Sequence, residues 1–236
     1  MPMRYRTLHP WDVSPSRAIQ IQRELRDQLI LKGDLEIPSY IAGADVSYSK
    51  KTDQFYAAVV VFKFSREGLF GEAILTKVDE ATHIGRVSFP YIPGLLSFRE
   101  AQPLLCAFEK LKIDPHLVIF DANGIAHPRG FGSASHIGLL LNIPSIGCAK
   151  SRLVGEYEPI DDRPGSYSHL IYEDRIVGAV LRTKARTNPI FVSQGHKISL
   201  ESAIQITMEC CMGYRVPEPT RIADQLTVAV RMKMEG

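Results

Sequence analysis

Three carboxylates stand where a folded chain of this size would normally place apolar side chains. Asp45 lies inside Ile41-Ala-Gly-Ala-Asp-Val-Ser-Tyr48, Asp121 ends the run Leu117-Val-Ile-Phe-Asp121, and Glu100 lies in Leu95-Leu-Ser-Phe-Arg-Glu-Ala-Gln-Pro-Leu-Leu105. An ionised carboxylate in an apolar setting is costly unless something positive neutralises it, and a divalent cation is the strongest such partner. The fold must therefore bring these acids together, two from strands and one from a helix.

The 236 residues contain no Gly/Ser-rich or Pro-rich divide, so one domain over 1–236 is expected. Lys plus Arg number 28 against 26 Asp plus Glu, a formal net charge of +2. That balance excludes a blanket polyelectrolyte, and a nucleic-acid partner would require basic residues grouped on one face. Cys106, Cys148, Cys210 and Cys211 show neither CxxC spacing nor a disulfide-scaffold pattern. With no signal-peptide core and no apolar run of membrane-spanning length, the expectation is a reduced, cytoplasmic, soluble protein with no membrane partner.

Ser16 opens a helical pattern with Ala18, Ile21, Leu25 and Leu29 on one face and Gly33 as its stop. Strand-like runs follow at 40–48, 55–64 and 72–78, with short breaks that suit antiparallel hairpins. A helix over 97–111 leads to an apolar strand over 116–121, then a glycine-rich loop, a helix over 133–141 and a buried strand over 144–149. Residues 169–172 and 176–181 read as a hairpin, followed by a strand at 190–192 and a final helix from about Ser199. The order βββαβ predicts an α/β protein with a mixed sheet flanked by helices.

Asp45 and Asp121 at strand positions are the oxygen ligands that Mg²⁺ requires while it activates water and shields phosphate, and Asp121 alone also reads as a turn residue. Glu100 shares a helical stripe with Leu96, Leu104 and Phe108, although Ser97-Phe-Arg-Glu100 also spells a capping box. Pro103 favours the box, since proline is tolerated in a first turn. Pro90-Tyr91-Ile92-Pro93-Gly94 is either a stiff aromatic tip that enters a base stack or an ordinary proline turn. Gly124, Gly130 and Gly132 permit close backbone approach to a base or a phosphate. Lys150 emerges at a strand end and serves a phosphate or solvent. His196 and His127 read either as acid–base groups or as structural histidines. Asp224 reads as helix-start chemistry.

Together these segments resemble the endonuclease V family, inosine-directed nucleases with a ribonuclease H-like fold. The resemblance spans about 40–226 and rests on Ile-Ala-Gly-Ala-Asp45, Pro-Tyr91-Ile-Pro-Gly-Leu-Leu-Ser-Phe-Arg-Glu100, Asp121-Ala-Asn-Gly-Ile-Ala-His-Pro-Arg-Gly-Phe-Gly, Ile-Gly-Cys-Ala-Lys150-Ser-Arg-Leu, Gly195-His196 and Pro-Glu-Pro-Thr-Arg-Ile-Ala-Asp224. It implies Mg²⁺, replaceable by Mn²⁺, on Asp45 and Asp121, with Glu100, Lys150 and His196 completing the catalytic set. It places a strand-separating wedge at Pro90, Tyr91, Ile92 and Pro93, and a base pocket at Gly94, Leu96, Ala122, Gly124, His127, Gly132 and Leu153. The implied reaction cuts damaged DNA at the second phosphodiester bond 3′ to deoxyinosine, leaving 3′-hydroxyl and 5′-phosphate ends, and the implied state is a monomer. Ala122 departs from the glycine usual there. Rival readings are an inosine-specific endoribonuclease acting on inosine-containing RNA, another ribonuclease H-like nuclease, and a non-catalytic binding module of the same fold.

Overall fold

The computed structural model describes residues 3–68 and 71–236. β1 (Tyr40–Tyr48), β2 (Gln54–Glu67) and β3 (Glu72–Arg86) form an antiparallel meander. α2 (Leu96–Phe108) then carries the chain to β4 (Leu117–Phe120), which lies parallel to β1. α3 (Ser133–Leu141) crosses in turn to β5 (Ser145–Ala149), parallel to β4. β6 (Tyr167–Tyr172), β7 (Arg175–Leu181) and β8 (Ile190–His196) add an antiparallel half, giving one eight-stranded mixed sheet in the order β3-β2-β1-β4-β5-β8-β7-β6. α1 (Pro15–Arg26), α4 (Leu200–Cys210) and α5 (Glu218–Glu235) complete the fold.

Alternate residues of a strand face opposite sides of a sheet, and the two sides here meet different helices. Ala42, Ala44, Val118 and Phe120 pack with Leu104, Phe108, Ile137 and Leu140 of α2 and α3. Ile41, Leu117, Ile119 and Ile146 pack with Ala203 and Ile206 of α4, while Val60 and Phe62 meet Ala223 of α5. α1 lies outside the α2–α3 layer through Ala18, Ile21 and Leu25. Among the described residues no helix is long and apolar enough to cross a membrane.

Several local expectations are corrected. α1 is capped by Ser14, whose Oγ accepts from Arg17 N–H at 3.3 Å, with Pro15 at the first helical position, and it ends before Leu29 and Gly33. β3 runs on to Arg86 and β8 to His196. The single final helix is two, α4 and α5, of which only α4 is capped by Ser199. α2 starts at Leu96 with no side-chain cap, so Ser97 falls inside the first turn and the capping box does not form. Pro103 consequently sits in the helix interior, where it removes one backbone hydrogen bond.

Gly43 fixes how α5 approaches the sheet. A Cβ at this position of β1 would fall on the backbone carbonyl of Pro219 and the amide nitrogen of Thr220. Backbone at both sides of such a contact cannot yield as a flexible side chain would. Gly43→Ala is therefore expected to lower stability by about 1–3 kcal/mol and to displace α5 from β1. Chemical denaturation checks the first effect, and an unchanged midpoint would remove this account of the packing.

Candidate active site

Ala44 of β1 pairs with Phe120 of β4 in the parallel register, so Asp45, inside β1, and Asp121, one residue past the end of β4, stand side by side on adjacent strands. Both are in phase with the strand residues that face the α4–α5 layer. Glu100 reaches the same place from α2 on the other layer, and these three acids line one narrow cleft with Ala122 and Ser133. Tyr48 donates to Glu100 Oε1 at 3.1 Å, and the Arg99 guanidinium sits 4.4 Å over the Tyr48 ring. Lys150, following β5, forms an ion pair with Asp121.

A fourth carboxylate belongs to this group. Thr227 of α5 is buried, and its hydroxyl lies 3.1 Å from Asp45 Oδ2 and 2.8 Å from the Asp224 carbonyl oxygen. Burial first, then the charges of Asp121 and Asp224, push the Asp45 carboxyl up to about 6. Asp224 stands well past the start of α5 at Glu218, so the helix-start reading is wrong. The sequence offers one clue: Thr220, Ala223 and Thr227 recur at helical spacing as small buried residues, which marks a face pressed closely on a sheet. Its partner, Gly43, is far away in sequence, and only the fold joins them.

Desolvation also pushes Glu100 up to about 8, against the Tyr48 hydrogen bond. Burial would lower the Lys150 pKa, but the bond to Asp121 and the further charges of Asp224 and Asp45 outweigh it and leave it raised. Three aspartates thus act on one ammonium, while the Arg99 guanidinium offsets part of the charge of Glu100. Among the described residues no three His, Cys, Asp or Glu side chains form a ready-made ligand cage. Mg²⁺ does not need one, since it takes one or two carboxylates and completes its shell with water and substrate phosphate. The excess of desolvated oxygen donors fits a hard divalent cation.

His196 does not join the site. It pairs with Ser145 at the start of β5, whereas Lys150 follows the end of that strand, about 15 Å away at the rise of a β-strand. It is 1% exposed, its Nδ1 accepts from Ile30 N–H at 3.3 Å, and its Nε2 is buried without a partner. Burial, then Lys197 and Arg6, lowers its pKa to about 4. A neutral histidine holding the 27–33 segment replaces the expected acid–base group.

Beside the cleft, and sharing Asp121, Ala122 and Ser133 with it, lies a cavity of about 320 Å³. Of the expected wedge and pocket residues, Tyr91, Ile92, Pro93, Gly94, Leu96, Ala122, His127, Gly132 and Leu153 line it. Pro90 is exposed beside them, and Tyr91 is 70% exposed. Gly124 is the exception. Its N–H donates to Ser193 Oγ at 2.9 Å, and a Cβ there would fall on the Gln194 carbonyl, so it lets the loop lie on β8 beneath the cavity. Gly132 does both jobs, because its own Cβ would collide with the Asn123 carbonyl oxygen.

The stiffness of the aromatic tip has a local cause that sequence reading missed. Gly94 has φ +79°, and its carbonyl oxygen accepts from Gln22 Nε2 at 2.9 Å, His127 Nε2 at 3.0 Å and Arg129 Nη2 at 2.6 Å. Burial, then Arg129, lowers His127 to about 4, so it is a neutral donor in this clamp rather than an acid. Gln22 comes from α1 and Arg129 from the glycine loop. The tip is therefore pinned from two sides.

A mixed α/β sheet that gathers carboxylates on its adjacent central parallel strands defines an α/β protein of the ribonuclease H-like fold with an acidic site. The endonuclease V family profile matches residues 23–225, and the chain belongs to that family. Endonuclease V of Dehalococcoides mccartyi is 49% identical over 223 residues, 94% of this chain and 96% of the relative. The crystal structure of the endonuclease V from Streptomyces avermitilis matches with a TM-score of 0.87 at 37% identity, covering 100% of both chains. That of Ciona intestinalis endonuclease V, in complex with a 24mer DNA containing an inosine followed by a ribo-adenosine, matches with a TM-score of 0.76 at 29% identity, covering 93% of this chain and 98% of that one.

Proposed function

We propose that this protein is a metal-dependent repair endonuclease that recognises deoxyinosine and cuts the second phosphodiester bond on its 3′ side, leaving 3′-hydroxyl and 5′-phosphate ends. The observation that carries this reading is the shared wall of cavity and cleft: a base extruded into the first lays its backbone across the acids of the second. Extrusion costs a few kcal/mol and is easiest for weakly paired bases such as hypoxanthine. The Ciona relative supports a nucleic-acid substrate, and its ribo-adenosine after the inosine keeps inosine-containing RNA as the second reading.

Mg²⁺, or Mn²⁺ in its place, held by Asp45 and Asp121 would supply Lewis acidity at the phosphate and a more acidic water. The chain does the rest. Lys150 offsets negative charge that develops on the phosphate. Asp224 and Glu100 add carboxylate oxygens, and Tyr48 fixes the Glu100 rotamer. His127 serves the tip, not the proton transfers. Incubation with matched inosine and adenosine oligonucleotides, as DNA and as RNA, with Mg²⁺ or with chelator, is expected to give Mg²⁺-dependent cutting of the inosine strand alone. Cutting of adenosine at equal rate, or cutting in chelator, would overturn the reading.

Tyr91 separates wedge from packing. Tyr91→Ala is expected to lose about tenfold more activity on inosine in duplex than in single strand, the worth of one base–aromatic stack. A ratio that does not change between the two substrates would assign Tyr91 a packing role.

A further inference from the structure

Gln22 lines the cavity from α1, donating to the Gly94 and Phe131 carbonyl oxygens at 2.9 and 3.0 Å, and so fixes which side of the helix meets the base site. Arg23 and Arg26 stand beside it, both exposed. At about 100° of rotation per residue, Arg26 lies between Gln22 and Arg23 around the helix. The glycine loop closes on the same turn: a Cβ at Gly130 would lie 3.0 Å from Arg26 Cδ, and the Arg129 guanidinium donates to Gln22 Oε1 and to the Gly94 carbonyl oxygen. Burial, then the charge of Arg23, lowers the pKa of Arg129. Three guanidinium groups therefore crowd one rim of the cavity.

Little in the folded chain balances them. Among the described residues the single ion pair that the three make is Arg26 with Asp27, at 3.5 Å and with the Asp27 side chain 79% exposed, while the neighbouring Glu24 is taken by Arg17. An exposed pair of that kind contributes little. Like charges gathered without acids, in a chain whose formal net charge is only +2, mark the place of an anionic partner. The planar fork of a guanidinium matches a phosphate group.

Position decides which phosphates these are. Gln22, Gly94 and His127 line the cavity but not the acidic cleft, so this rim lies away from Asp45, Glu100 and Asp121. A strand cut on the 3′ side of the base has its 3′ phosphates over the acids, which leaves its 5′ phosphates for the α1 rim. We propose that Arg23 and Arg26 form a backbone grip for the nucleic-acid strand on the 5′ side of the extruded base, with Arg129 tying the grip to the aromatic tip. The inference rests on the base-site and cut-site reading given above. A phosphate contact carries no sequence information, so the grip adds affinity without adding preference for inosine.

The test is the salt dependence of the dissociation constant for single-stranded DNA, measured in chelator so that no strand is cut. Two oligonucleotides of equal length are compared, one with inosine at its centre and one with inosine as its 5′-terminal nucleotide, without a 5′-phosphate. On the first, Arg23→Gln/Arg26→Gln is expected to bind about tenfold more weakly and to lower the slope of log Kd on log salt by about 1.4, the counterions of two phosphates. Arg23→Lys/Arg26→Lys keeps both charges and is expected to stay within about threefold of wild type. On the second oligonucleotide, which has no 5′ phosphates, the Gln variant is expected to match the unaltered protein. An unchanged slope on the first overturns the grip, and an equal loss on both overturns its placement on the 5′ side. Equal binding of central inosine and central adenosine by the unaltered protein is a different result, and it overturns the base-site reading instead.

Discussion

Asp121→Ala and Asp45→Ala are each expected to lower strand cleavage by about a thousandfold or more, because each removes an oxygen donor at the point where charge develops. Neither should unfold the protein. Asp45 is desolvated and repelled by Asp121 and Asp224, so removing one acid relieves strain in the metal-free molecule. The melting temperature in chelator should hold or rise, the pattern expected where function opposes stability. Cleavage rates in Mg²⁺ and melting curves in chelator check both halves. A variant that cuts at near wild-type rate would remove Asp45 and Asp121 as the metal site.

The second large effect separates two residues that the sequence ranked the wrong way round. Asp224→Asn keeps shape and removes charge, and is expected to lower cleavage about a hundredfold with little change in stability. His196→Ala empties a fully buried site and frees the Ile30 amide. It is expected to cost about 2–4 kcal/mol of stability, while the protein that remains folded cuts at close to the wild-type rate. Single-turnover cleavage of the two variants, normalised to the folded fraction from denaturation curves, makes the comparison. A folded His196→Ala protein as inactive as Asp224→Asn would return the histidine to the chemistry.

Local pattern alone set the sheet class, the chain order of the elements up to the last strand and the two strand acids, while the split of the final helix into α4 and α5 did not show in it. An aspartate that ends an apolar run is visible in five residues, and a two-residue turn such as Glu173-Asp174, both at positive φ, needs only its flanking strands. The pinned tip was legible as proline-rich, but its clamp was not, since Gln22 and Arg129 lie far from Gly94 in sequence. Gly124 and Gly132 were legible as glycines needed for close approach. The structure decided what approaches them, which is backbone from β8 and from the loop itself. Asp224 and His196 show why the remainder stayed hidden. A side chain on a helix face or at a strand end carries no local record of what packs against it. Gly43 admits α5 and so brings Asp224 to Asp45, while the antiparallel register of β8 on β5 carries His196 to the opposite end of the sheet.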